Sequence, residues 1–75
     1  MTKLTHAIDG AKIKARRGQL LLTQAELGAR AGLTDASIRI YERGGARVHA
    51  ATLKRLAAAL LCSPDDIRAW SEEVA

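Results

Sequence analysis

Apolar residues along the chain recur at helical rather than strand spacing. Leu53, Leu56, Ala57 and Leu60 stand at i, i+3, i+4 and i+7, one stripe of an amphipathic helix over about 50–61. Ile13, Arg17 and Leu20 share a face of an earlier helix over about 9–19, with Asp9 as its N-cap. Thr23 followed by Glu26 is a capping box. The helix it opens ends near Ala31, where Gly32 suits the left-handed terminator. A third helix starts after Thr34, with the Asp35 carboxylate favoured in its first turn, and stops at Gly44 and Gly45. Ser63, Pro64, Asp65 and Asp66 open a fifth with N-cap, proline and acid in sequence. Ile67, Trp70 and Val74 extend its apolar face. The pattern predicts an all-α protein, a compact five-helix bundle in a single domain over residues 1–75.

Composition agrees with the pattern. The 75 residues include fifteen Ala and ten Leu but two Val and no Phe, and strands favour β-branched and aromatic residues. So short a chain holds one small domain, with no room for an enzyme that needs a separate substrate domain. Charge adds a direction. Residues 1–55 carry a net +7 and residues 56–75 a net −3, so an anionic partner would meet the first part.

Other chemistries find no support. Ser/His/Asp arrangements, paired catalytic carboxylates and phosphate-cradling glycine loops are missing from the sequence, so it does not read as an enzyme, and no cofactor is expected. His6 and His49 are far apart and lack ligand neighbours, so no metal is expected and both read as surface residues. Cys62 falls on an apolar position and reads as a core thiol rather than a redox switch. A lone cysteine fits a reducing compartment. With no membrane span or signal peptide in view, the expected location is cytoplasmic, at the nucleoid.

Helices two and three are joined by Gly32-Leu33-Thr34 alone, a turn length characteristic of helix-turn-helix units. Around it stand Ile13 to Arg17, Leu22-Thr23-Gln24-Ala25-Glu26-Leu27-Gly28, Ala31-Gly32-Leu33-Thr34, Ser37-Ile38 and Tyr41-Glu42-Arg43-Gly44. With Leu53 to Leu60 and Ser63 to Ile67, this series resembles the lambda-repressor-like helix-turn-helix family, in register over about 9–67. The resemblance implies a protein that binds double-stranded DNA, usually as a homodimer, with its third helix in the major groove. On that helix Ile38 and Tyr41 share one face, while Ala36, Arg39, Ile40 and Arg43 fall in a sector about 100° wide opposite. The first pair can enter the core and the second set can face a groove.

Roles follow residue by residue. Arg39 suits bidentate contact to guanine, Asp35 the cytosine amine, and Ala36 and Ile40 thymine methyls. The resemblance implies a phosphate contact for Gln24; Ser37, Arg43 and the backbone near Gly44 also suit phosphate, and Thr34, the cap of that helix, is a further DNA-binding candidate. Lys14 and Arg47 are further phosphate candidates. The resemblance makes Arg17 and Glu42 a structural salt bridge between helices one and three. It also offers Ile67, Trp70 and Val74 as a dimer interface, although Trp70 reads equally as core. Five departures stand out. Leu21 and Leu61 occupy usual glycine positions, so those turns are expected to be built differently. Val48 replaces a proline and Ala50 a larger apolar residue, so loop 44–49 is expected to be loose. Gly28 replaces the usual alanine.

The sequence thus reads as a dimeric transcriptional regulator, more specifically a repressor of the phage or mobile-element kind, acting on a palindromic operator. Without a sensor domain, no small-molecule ligand is expected. The rival reading is an antitoxin or other protein-binding partner that also binds its own operator. It would need a toxin-binding segment beyond the motif.

Overall fold

The structure is a computed structural model and describes residues 4–69. Its order is strand β1 (Thr5–Ala7), helices α1 (Gly10–Gln19), α2 (Gln24–Ala31) and α3 (Asp35–Arg43), strand β2 (Arg47–His49), helix α4 (Ala50–Ala59), and a 3-10 turn (Pro64–Ile67). The α4 stripe is in the core as its spacing requires: Leu53, Leu56, Ala57 and Leu60 are all buried. They pack with Ile8, Ile13, Leu27, Ala31, Ile38, Val48 and Ile67 in one cluster. Burying such side chains is the main favourable term for a domain this small.

Two expectations about architecture are corrected. The protein is mostly helical rather than all-α, because β1 and β2 form an antiparallel pair with Thr5 opposite His49 and Ala7 opposite Arg47. Three-residue strands are too short for alternation to show in sequence, and their partners lie 40 or more residues apart. Loop 44–49 is therefore not loose. Its second half, Arg47–His49, is strand, and Val48 is a core residue at 5% exposure.

The fifth helix is also corrected to a single 3-10 turn. Asp66 does accept a hydrogen bond from the Ser63 backbone at 2.9 Å, as a helix start should. Past Ile67, however, the N-terminal segment takes the backbone. Asp9 N–H donates to Ile67 C=O at 2.8 Å, Ala69 N–H donates to Ala7 C=O at 3.0 Å, and Ile8 bridges to Arg68. A residue held extended by a strand partner cannot continue a helix, and Arg68 is at φ −81°, ψ 149°. Trp70 and Val74 lie outside the described residues.

Helix ends account for much of the rest. Leu22 N–H bonds Arg17 C=O, Leu33 bonds Gly28 and Cys62 bonds Ala57, three six-residue closures of the Schellman kind. The residue inside each closure has positive φ: Leu21 at 58°, Gly32 at 70° and Leu61 at 56°. The turns at Leu21 and Leu61 are thus of the ordinary left-handed form, contrary to expectation. The hydrogen-bonded closure outweighs the strain of a side chain there, about 1–2 kcal/mol.

Glycines matter where helices touch. A Cβ on Gly10 would lie 2.5 Å from Tyr41 C=O, so α1 rests directly on the end of α3. One on Gly28 would lie 2.9 Å from Leu33 C=O, under the turn between α2 and α3. Gly18 meets nothing within 4 Å.

Three substitutions separate these roles. Leu21→Gly relieves strain at a side chain that is 88% exposed, and should raise unfolding free energy by up to about 1 kcal/mol. Gly18→Ala should add roughly 0.5–1 kcal/mol through helix propensity. Gly10→Ala, forcing α1 off α3, should remove about 1–3 kcal/mol. Urea denaturation read by circular dichroism checks all three. A neutral Gly10→Ala would contradict the close approach.

Candidate nucleic-acid interface

Two caps set the helix-turn-helix. Thr23 Oγ1 accepts from Glu26 N–H at 3.0 Å, and the Glu26 carboxylate accepts from Thr23 N–H at 2.8 Å. That backbone bond holds the Glu26 carboxyl below the ordinary 4.5. At α3, Thr34 Oγ1 accepts from Ser37 N–H at 3.1 Å, and the Thr34 hydroxyl lies 3.1 Å from that of Ser37. Each cap satisfies a backbone donor the helix itself leaves open.

Ile38 is fully buried and Tyr41 packs against the core, which anchors one side of α3. Asp35, Ala36, Arg39, Ile40 and Arg43 are exposed on the other. Ile40 is unusual there: a large apolar side chain left 54% exposed.

The joint between helices is ionic. Arg17 Nε and Nη2 donate to the two Glu42 carboxylate oxygens at 2.5 and 2.9 Å, a fork-to-fork pair. Glu42 is 5% exposed and Arg17 17%. Gln24 Nε2 donates to Glu42 at 3.1 Å, and Arg17 Nη1 donates to Leu22 C=O at 2.9 Å. One carboxylate at the end of α3 thus takes donors from the end of α1 and the start of α2. Burial pushes the Glu42 carboxyl pKa up. The bonds from Arg17 and Gln24 and the nearby positive charges outweigh that, and hold it below 4.5.

Beside this joint lies an open cleft of about 610 Å³, lined by Lys14, Arg17, Thr23, Gln24, Arg39, Glu42 and Arg43. Since Arg17 is largely buried against Glu42, the exposed charges that the cleft offers a partner are those of Lys14, of Arg43 and of Arg39, which lies 3.6 Å from the equally exposed Asp35 carboxylate. This gathers Lys14, Gln24, Arg39 and Arg43 from the sequence-derived set. It adds Thr23 at the α2 cap.

Other candidates are placed elsewhere. Arg47 lies on β2, does not line the cleft, and donates to Thr5 Oγ1 and Thr5 C=O, each at 3.0 Å. Ile67 is corrected from interface to core: at 1% exposure it is covered by its own domain. Cys62 is half-buried beside the core, and burial and Asp66 raise its thiol above the ordinary 9.0. Among the described residues no group of His, Cys, Asp and Glu could hold a metal ion, and no helix is long and apolar enough to cross a membrane.

Sequence reasoning missed two arginines that cap helices. Arg16 donates to Leu60 and Leu61 C=O at 2.9 and 3.0 Å, closing the end of α4. Arg55 donates to Ala31 and Gly32 C=O at 2.9 and 2.6 Å, closing the end of α2. Cations are favoured at helix C-termini. No local signal marks either residue, because each capped helix end lies 23 or more residues away in the chain.

A profile of the helix-turn-helix family matches residues 13–67. Repressor protein C2 of Salmonella phage P22 is 39% identical over 56 residues, which is 75% of this chain and 26% of that protein. An uncharacterized transcriptional regulator of Rhodospirillum rubrum, in the ATPase CF(0) region, is 37% identical over 79% of this chain and 57% of its own length. The chain therefore spans between about a quarter and somewhat over half of these relatives. The crystal structure of the P22 c2 repressor with a synthetic operator has a TM-score of 0.71 at 39% identity, over 75% of this chain and 85% of that one. The restriction-modification controller protein C.AhdI from Aeromonas hydrophila has a TM-score of 0.71 at 28% identity, over 76% of this chain and 86% of that one.

The Arg17–Glu42 joint carries a stability prediction with a sign. Glu42→Ala leaves a largely buried guanidinium unpaired and should cost about 3 kcal/mol. Because the folded carboxyl pKa is depressed, its stabilisation is complete above pH 4.5 and is lost as pH falls through the lower folded value. Denaturation curves between pH 7 and pH 3 should show wild type losing more stability over that range than Glu42→Ala. Parallel curves would mean that the pair contributes nothing.

Proposed function

The chain belongs to the helix-turn-helix family, in its lambda-repressor-like branch, and from that premise we propose that it is a DNA-binding transcriptional regulator acting as a repressor. One observation carries the reading: the outer face of α3 is exposed beside a cleft that offers Lys14, Arg39 and Arg43. A helix fits the width of the major groove, and cations beside it suit the flanking phosphates. In this reading Arg39, Asp35, Ala36 and Ile40 meet base edges. Lys14, Gln24, Ser37, Arg43 and the backbone near Gly44 meet phosphate. The operator complex of the P22 c2 repressor, a structure similar over three quarters of this chain, supports it.

Dimerisation belongs to the same proposal. A single short helix reads few base pairs. Two copies related by a twofold axis would place their α3 helices in successive major grooves about 34–36 Å apart, on a palindromic operator. The protein would then work at the nucleoid, needing no small molecule and performing no catalysis.

Selection of bound sequences from random DNA, followed by titration at several salt concentrations, tests the reading. An enriched palindrome is expected. The log–log salt slope should be near −4, for about four phosphates neutralised by Lys14 and Arg43 of two copies. If no sequence is enriched, the regulator reading fails. An enriched but asymmetric site would remove the homodimer.

A further inference from the structure

Arg39 and Asp35 are neighbours as well as separate candidates. They lie one turn apart on the exposed face of α3, with Arg39 Nη2 3.6 Å from Asp35 Oδ2. Both side chains are more than half exposed, at 56% and 55%. As a surface ion pair the contact contributes little to folding. Its place is more informative. It sits at the edge of the sector that holds Ala36 and Ile40, and Ile40 is left open to solvent rather than folded into the core. The face therefore presents a row of donors, an acceptor and apolar groups.

We infer that Asp35 and Arg39 act together as one reading element for a G·C base pair, with Arg39 on guanine and Asp35 on the amine of its partner cytosine. This rests on the DNA-binding function proposed above. Guanine offers two acceptors, N7 and O6, and its cytosine offers the N4 donor next to them. A guanidinium has donors only and a carboxylate acceptors only. Neither side chain alone can complete that edge, whereas a fork beside a carboxylate matches all three groups in order. At an A·T pair, the adenine amine would face the Arg39 donors and the thymine O4 would face the carboxylate. Asp35 thus acts partly by exclusion. It withholds Arg39 from edges where a lone arginine would still find an acceptor, and it repels phosphate wherever the match is absent.

Bound-sequence selection with wild type, Arg39→Ala, Asp35→Ala and Asp35→Asn tests the element. Wild type should show one strongly fixed G·C pair per half-site. Arg39→Ala should relax that position. Both Asp35 variants should relax the same position by about tenfold, and bind mismatched DNA more tightly than wild type does. The inference is overturned if the Asp35 variants keep the G·C preference at full strength, or relax a different position. If wild type enriches no sequence, the DNA-binding reading fails first and this element falls with it. Circular dichroism spectra matching wild type would show that the variants keep the helix.

Discussion

The arrangement of the three helices around the cleft depends on one carboxylate. Glu42 ends α3, is almost wholly covered, and is held by Arg17 from α1 and Gln24 from α2. A buried ion pair is a poor source of net stability, since desolvating both partners offsets most of their attraction. Its effect is geometric. A two-bond fork tolerates little rotation, and the bare Gly10 lets α1 rest on the same end of α3 at backbone distance. Slack at either contact would change how far α3 stands out from the body.

The same geometry sorts the positive charges. A basic domain invites the reading that its cations face an anion. Several do not. Arg16 and Arg55 close the C-termini of α4 and α2, and Arg17 is matched by Glu42. Arg47 is bound to Thr5. These residues hold the fold, so net charge overstates the charge offered to a partner. Lys14, Arg39 and Arg43 lie together beside α3, and their placement says more than the total does.

The turns follow a related logic. Leu21 and Leu61 hold left-handed backbone that favours glycine, yet both helices close in the ordinary way because the closing hydrogen bonds outweigh the strain. Both side chains are exposed, so neither is retained by packing. A residue that disfavours a conformation raises its energy, and the surrounding closure decides whether it forms.

Local rules were enough to place much of this domain. Helical periodicity placed Leu53, Leu56, Ala57 and Leu60 in the core, and the caps at Thr23 and Thr34 set where α2 and α3 begin. The face arithmetic of α3 separated Ile38 from Arg39, because a residue's direction on a helix depends only on its index. Pairing across the chain lay beyond that reach. β1 and β2, the truncation of the fifth helix at Ile67, the burial of Ile67 and the two arginine caps all join segments more than 20 residues apart. Those contacts exist only once the chain has folded, and they compete with local preference for the same backbone groups. Where a strand partner reached Ile67 and Ala69, the helix signal at Ser63 and Pro64 lost, since each amide donates to one partner at a time.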